Sequence, residues 1–352
     1  MSRGQGLFVP RRRRVRYGCL TVVILLLISL GLMVGFNSLA NRFVKLVVQP
    51  ITLPDLPRAL EGFDILHLSD LNAASLGNKH EHLRKTLENQ SFQAVCLTGD
   101  MVGKSGDAAP LMDLLDLLGQ KAPVFLIAGS GDPPPLSASA DGEVLAPYIL
   151  MAQARGAVYL DRPVLLEENG ARIWFCPADT FELDLESARR AYQDRAQSLR
   201  AGDLSSAEAA AQLRLVEYQL VMLEESLAAK ALMRAGDTIL ALRHHPPETR
   251  LLNELREGAE ERATLLPQIY LCGQYNNGQA RLPGLGPIYL PPQADGRGGW
   301  LPGDEGISGL HFTKGQAVYI SPGLGVSGYY PIPVRLFNRP VATHIQLTSR
   351  LR

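Results

Sequence analysis

An α/β fold is predicted by three features of the chain. Short apolar runs end in polar loops: Gly62-Phe63-Asp64-Ile65-Leu66-His67-Leu68-Ser69-Asp70, then Gln93 to Thr98 before Gly99-Asp100, then Val124 to Ala128 before Gly129-Ser130-Gly131-Asp132. Between the last two, Leu111 to Leu118 has helical spacing, so strand and helix alternate. A further apolar run, Gln268 to Cys272, leads into the Gly/Asn-rich stretch Gly273 to Gly278. Inner strands of α/β sheets deliver polar residues at their carboxyl ends, where ligands bind, so the four loops are expected to converge.

The first sixty residues are a different material. Arg3, Arg11, Arg12, Arg13, Arg14 and Arg16 precede Gly18 to Phe36, which carries no charge and is long enough for a transmembrane helix, placed at 17–36. The arginine excess on the N-terminal side directs residues 1–16 to the cytoplasm as a basic arm and the main body to the other side of the cell membrane, with a single pass. Ser38-Leu39-Ala40 leaves a cleaved export signal as the alternative, which the length of the apolar run disfavours. Residues 37–62, with Pro50, Pro54 and Pro57, read as a linker.

The formal net charge of zero conceals this division. Without the six N-terminal arginines, 29 basic residues face 35 acidic ones, and a mildly acidic body argues against nucleic acid as partner. Cys19 lies in the membrane segment, while Cys96, Cys176 and Cys272 lie in strand-like runs. They read as small buried hydrophobes, not as a disulfide framework or a zinc site.

Further along, His80 and His82 open a polar helix, Lys79 to Asn89, and are expected in solvent. His67 reads as a core histidine, Asp132 as a residue that orients its loop, and His245 as packed or solvent-facing. His311 and His344 sit in strand-like contexts with no partner motif. Leu185 to Ala235 is helix-forming, broken near Gly202, with Ser205 and Glu208 as a capping box. Leu213, Val216, Leu220, Leu223 and Leu227 form a narrow seam. A helical hairpin insertion at about 184–235, folded on itself or on the body, is expected; a protein partner on that seam is the alternative.

The loop residues resemble a known order. In calcineurin-like metallophosphoesterases, and most closely in their membrane-associated bacterial branch, the strand ends read Asp-x-His, Gly-Asp, Gly-Asn-His-Asp, a His before Pro, and Gly-His-x-His. Here the same places hold Asp70-Leu71-Asn72, Gly99-Asp100, Gly129-Ser130-Gly131-Asp132, His244-His245-Pro246 and Gly273-Gln274-Tyr275-Asn276. Gly278, Gln279, Arg281, Leu282 and Pro283 keep the frame of the last motif, and Ser321 to Gly328 and Pro331 to Pro340 are also similar, so the resemblance covers about residues 50 to 348. It implies a two-sheet α/β sandwich flanked by helices over 63–348.

The resemblance also implies a pair of metal sites. Asp70, Asn72, Asp100 and Asn276 would face one ion, and Asp100, Ser130, His244 and Gln274 the other, while the family's acid falls on Gly131. Only Asp70, Asp100 and His244 keep the family's ligand type. Amides and a hydroxyl are weak donors to transition metals, so the cofactor expected is one hard divalent ion, Mg²⁺ or Ca²⁺ rather than Mn, Fe or Zn, or none. Loss of general acid catalysis alone removes about 100-fold or more from a rate. The function expected is a catalytically degenerate, membrane-anchored binding or regulatory module for a phosphorylated or lipid-linked ligand. The alternative is a weak or altered hydrolase of phosphoesters or lipid pyrophosphates.

Overall fold

The computed structural model describes residues 12–139, 142–262, 264–293, 296–313 and 315–350. The basic arm expected at 1–16 lies outside them, apart from the backbone of its last residues.

Two six-stranded sheets face each other. The first runs β1 (Lys45–Thr52), β16 (Val341–Thr348), β2 (Asp64–Leu68), β3 (Ala94–Thr98), β4 (Val124–Ile127), β5 (Ala157–Tyr159). From β2 to β5 the strands are parallel, while β16 is antiparallel to β2 and parallel to β1. The second runs β14 (Gly309–Thr313), β15 (Gln316–Ile320), β9 (Ile269–Cys272), β8 (Thr238–Leu242), β7 (Ala171–Pro177), β6 (Val164–Glu168). Its four central strands are parallel and its edges antiparallel. Two small ribbons, β10 (Arg281–Leu282) with β11 (Gly286–Pro287) and β12 (Tyr289–Leu290) with β13 (Gly299–Trp300), sit beyond β9.

The continuous apolar runs of the sequence become the central strands because both faces of these strands are covered. Between the sheets lie Ile65, Cys96, Phe125 and Ile345 from one side and Phe175, Leu240, Leu271 and Tyr319 from the other. Phe125 stacks on Phe175 with ring centroids 4.4 Å apart, which adds about 1 kcal/mol beyond area burial. On the outer face of the first sheet, α2 (Glu81–Leu87), α3 (Ala109–Leu118) and α4 (Pro147–Gln153) bury Leu83, Leu111, Leu115 and Ile149 against Leu66, Leu97 and Leu126. The second sheet is covered by α5 (Asp179–Glu182) and α8 (Thr249–Arg262), through Phe181 and Leu252.

The hairpin insertion is α6 (Leu185–Ala201) and α7 (Ala207–Leu232), broken at Gly202 and folded back on the body. Tyr218 donates to Asp161, Arg162 pairs with Glu225 at 2.8 Å, and Arg172 donates to the Leu232 carbonyl at 2.9 Å. Two details differ from the sequence reading. The cap of α7 is Ser206, whose hydroxyl accepts from Ala209 N at 3.1 Å, not Ser205. Of the expected seam only Val216 is buried, completed by Ala211 and Ser226, while Leu213, Leu220, Leu223 and Leu227 are half-buried. The face is selected by contact with α6 and the body, for which small residues leave room, rather than by leucine spacing.

Three more expectations are corrected. The stretch 37–62, read as linker, contains the end of α1 (Arg12–Ala40) and all of β1, because β16 offers β1 a full-length parallel partner. The polar helix after β2 is shorter than expected and enters through a turn at Asn78–His80. His80 is fully buried rather than solvated: Nδ1 accepts from Leu76 N at 3.3 Å and Nε2 lies 2.7 Å from the Pro110 carbonyl. That carbonyl is thirty residues away, so nothing local could announce it. His67 is buried as expected, held at Nε2 by Thr98 Oγ1 at 2.8 Å, and Cys96, Cys176 and Cys272 are buried free thiols.

Candidate functional site

Parallel strands place their carboxyl ends together, and this puts the five loops singled out in the sequence at one rim. Asp70 follows β2, Asp100 follows β3, Ser130 and Gly131 follow β4, His244 follows β8, and Gln274 and Asn276 follow β9. Backbone bonds lock the loops: Asp70 N donates to Gly99 O at 3.0 Å, Asn72 N to Asp100 O at 2.7 Å, and Gly273 N to His244 O at 2.9 Å. Asp70, Asn72, Asp100, Gln274 and Asn276 all have positive φ, a conformation costing of order 1 kcal/mol or more per residue unless its surroundings impose it. Asp132 imposes part of it. Its carboxylate accepts from Met101 N at 3.2 Å and from Val102, Gly103 and Gly129 N at 2.9 Å each, so it orients two loops and holds no free lone pair for a ligand.

At the centre, Asp70, Asp100 and His244 are buried, with potential ligand atoms all within 4.8 Å of one another. Glycines make this approach possible. A Cβ on Gly273 would lie 1.9 Å from Ser69 Oγ and 2.7 Å from Asp70 Oδ2, and one on Gly129 would lie 2.2 Å from Asp100 Oδ1. Asp70 Oδ1 accepts from Gln274 N at 3.1 Å and Asn276 Nδ2 at 3.3 Å. Asp100 Oδ1 accepts from Gly131 N at 2.6 Å and faces His244 Nε2 at 3.2 Å.

Burial pushes the Asp70 carboxyl up to about 6, against the pull of His244. Burial acts on Asp100 in the same direction, yet the imidazole of His244 and the Gly131 amide hold its carboxyl below the usual range. His244 would be depressed by burial, but the two carboxylates raise it to about 9. Two carboxylates facing each other repel. In the protein by itself, protonated His244 offsets that repulsion, and Arg243 takes no part, being paired with Glu182 at 3.0 Å.

The residues accommodate one cation better than two. His244 Nδ1 lies 2.7 Å from the Thr98 carbonyl and so carries a proton; of the two nitrogens Nε2 is therefore the one that could become a lone-pair donor to a cation, the tautomer that a backbone carbonyl imposes on metal-binding histidines. In the unliganded protein Nε2 is paired with Asp100 Oδ1 at 3.2 Å and would have to give up its proton to an incoming cation, while Asn276 Oδ1 is buried without a hydrogen-bond partner. With Asp70 and Asp100 they supply one oxygen-rich donor set. In the second set, Ser130 Oγ donates to Gln274 Oε1 at 3.2 Å, so the two residues that replace imidazoles there are bonded to each other, while Asn72 of the first set is held through Nδ2 by Asp70 O at 3.2 Å. At Gly131, where the resemblance puts the acid, a Cβ would lie 2.8 Å from Asp100 Oδ2.

Sequence reasoning passed over three residues around this centre. Arg335 is buried, its guanidinium donating to Pro322 and Gly325 carbonyls at 2.7 Å and to Asn338 O at 2.9 Å. It thereby braces the loop whose Leu324 and Gly325 amides bond Ser69 O and Asp70 O. Tyr329, half exposed, donates to Ser130 O at 3.2 Å, and Lys104 Nζ sits 3.7 Å over its ring, so the two form one wall of the mouth. A lone arginine in a Pro/Gly-rich stretch was the available signal for Arg335. The other two had none.

No family model matches the chain, and no curated protein matches it. Among solved structures, a phosphopantetheinyl hydrolase from Mycobacterium tuberculosis is 14% identical, over 74% of this chain and 89% of that one, with a TM-score of 0.37. A dimetal phosphatase from Danio rerio is 12% identical, over 75% and 88%, with a TM-score of 0.36.

Proposed function

We propose that this chain is a membrane-anchored protein of metallophosphoesterase type that has lost the dinuclear chemistry. It acts as a binding or regulatory module, taking a phosphorylated or lipid-linked ligand at the old cleft. The observation carrying this reading is at Gly131, whose amide is bonded to Asp100 at 2.6 Å and whose position has no room for a Cβ beside that carboxylate. A proton donor for a leaving oxygen cannot be supplied from there, and Ser130 and Gln274 are bonded to each other. α1 supports the anchor, since Gly18–Ala40 is apolar enough to span a bilayer.

A second reading, a weak or altered hydrolase using one hard ion, is favoured by the unpartnered Oδ1 of Asn276 beside two buried carboxylates and the His244 imidazole. Asp70, Asp100, His244 and Asn276 would hold that ion, which would supply charge for a phosphoryl oxygen. The chain's own groups would orient the ligand, with Tyr329 and Lys104 at the mouth. The test is metal content of the purified full chain together with hydrolysis of a chromogenic phosphodiester in added Mn²⁺. One ion or none, without turnover, is expected. Two stoichiometric ions, with turnover abolished in Asp100→Ala, would overturn the first reading.

A further inference from the structure

The last turn of α1 is not a loose tether. Asn37, near the end of an otherwise apolar helix, is buried although Phe36 and Leu39 beside it are exposed. Both ends of its amide are used: Nδ2 donates to Arg335 O at 2.7 Å, and Oδ1 accepts from Phe337 N at 2.8 Å. One turn later, Asn41 Nδ2 donates to the same Arg335 carbonyl. An apolar membrane helix needs no such residues to span, and burying an amide is tolerated only when it is bonded. The pair fixes the angle and depth at which the body meets the helix.

What surrounds this clamp has interfacial composition. Phe43, Val334 and Phe337 are exposed large apolar residues, and Arg42, Lys45 and Arg339 are exposed cations. Arg339 in addition donates to Phe43 O at 3.2 Å, joining the helix exit to the loop. Apolar and aromatic side chains mixed with basic ones are what the headgroup region favours. The loop that begins at the site mouth with Tyr329 reaches the clamp at Arg335, so one short segment connects site and helix exit.

Resting on the reading of α1 as a membrane helix, we infer that the Asn37/Asn41 clamp seats the segment Tyr329–Phe337 on the surface of the bilayer that holds α1. The site mouth then opens at the headgroup layer of that bilayer, and its ligand is one presented by the membrane. A cleaved export signal would discard Asn37 and its bonds, so the clamp also argues for retention of the helix.

The test uses the full chain in nanodiscs containing anionic lipid. Cys19 is changed to Ser, and a single environment-sensitive fluorophore is attached through Val334→Cys or, at the amino end of β8 opposite the site rim, through exposed Ala235→Cys. The remaining cysteines are buried and stay unlabelled. Seating within about 5–10 Å of the headgroup–acyl boundary predicts quenching by shallow doxyl lipids at 334 at least about twofold stronger than at 235. Asn37→Ala/Asn41→Ala is expected to remove that difference while the protein stays in the bilayer through an alkaline wash. Equal quenching at 334 and 235, with the chain still membrane-bound, would overturn the seating and leave the anchor standing. Release by the alkaline wash would overturn the anchor and the seating together. Strong quenching at 334 that survives the double substitution would refute the clamp as its cause.

Discussion

Gly131→Ala tests how tightly the centre of the site is closed. Gly131 does not have positive φ, so alanine brings no backbone strain, and its whole effect comes from the added carbon. That carbon would lie 2.8 Å from Asp100 Oδ2 and 3.0 Å from Cγ and Oδ1. Asp100 can yield only by giving up the 2.6 Å bond from Gly131 N or its 3.2 Å approach to His244. A lost hydrogen bond to a charged group costs about 1.5–3 kcal/mol, and crowding a packed site about 1–3 kcal/mol. Because one movement relieves the crowding by breaking the bond, the two do not simply add, and a loss of about 2–4 kcal/mol is expected. Urea unfolding of the full chain in detergent micelles measures it. Gly258→Ala is the control: it lies in α8 with nothing within 4 Å of the new carbon and should gain about 0.5–1 kcal/mol. If Gly131→Ala unfolds at the wild-type midpoint, Asp100 has slack to move aside. The argument against a proton donor at residue 131 would then fail.

Three further outcomes are expected. Burial holds His67 down to about 3, so it is neutral in the fold and takes a proton near 6.5 only when unfolded. Its contribution is therefore full above pH 6.5 and lost as pH falls toward 3, amounting to about 2 kcal/mol by pH 5; His67→Gln should flatten the pH dependence by that amount, and parallel curves would count against it. Asp132→Asn turns one acceptor oxygen into a donor facing two amides, and should cost about 2–3 kcal/mol and speed hydrogen exchange at residues 101–103; unchanged exchange there would show that the loops hold without it. Mg²⁺ at a hundredfold its dissociation constant should stabilise the chain by about 2.7 kcal/mol, and an equal gain in Asp100→Ala would place the ion elsewhere.

Much of the site was legible because parallel strands impose a simple rule: polar residues just past their carboxyl ends meet at one rim. Asp70 and Asp100 stood at loops the strand pattern itself marked, and Asp132 read as a loop-orienting residue, whereas His244, Gln274 and Asn276 were singled out by the resemblance to metallophosphoesterases. The role of each donor was not legible, since Ser130 and Gln274 satisfy one another across 144 positions of sequence. His80 and Arg335 were misjudged or passed over for the same reason: their partners are backbone carbonyls brought close only by the fold.

The sequence by itself determined the alternation of strand and helix, the apolar N-terminal segment, the hairpin insertion and the residues that gather at the strand ends. These follow from periodicity and chain direction, which are local. Only the tertiary structure decided that β1 joins the first sheet, that Ala211 and Ser226 join Val216 in the buried stripe of α7 in place of the leucines, and that Gly131 closes on Asp100. It also decided that Asn37 and Asn41 grip the loop beside the site. Each of these depends on which distant backbone group fills a gap or accepts a bond, and no spacing along the chain encodes that.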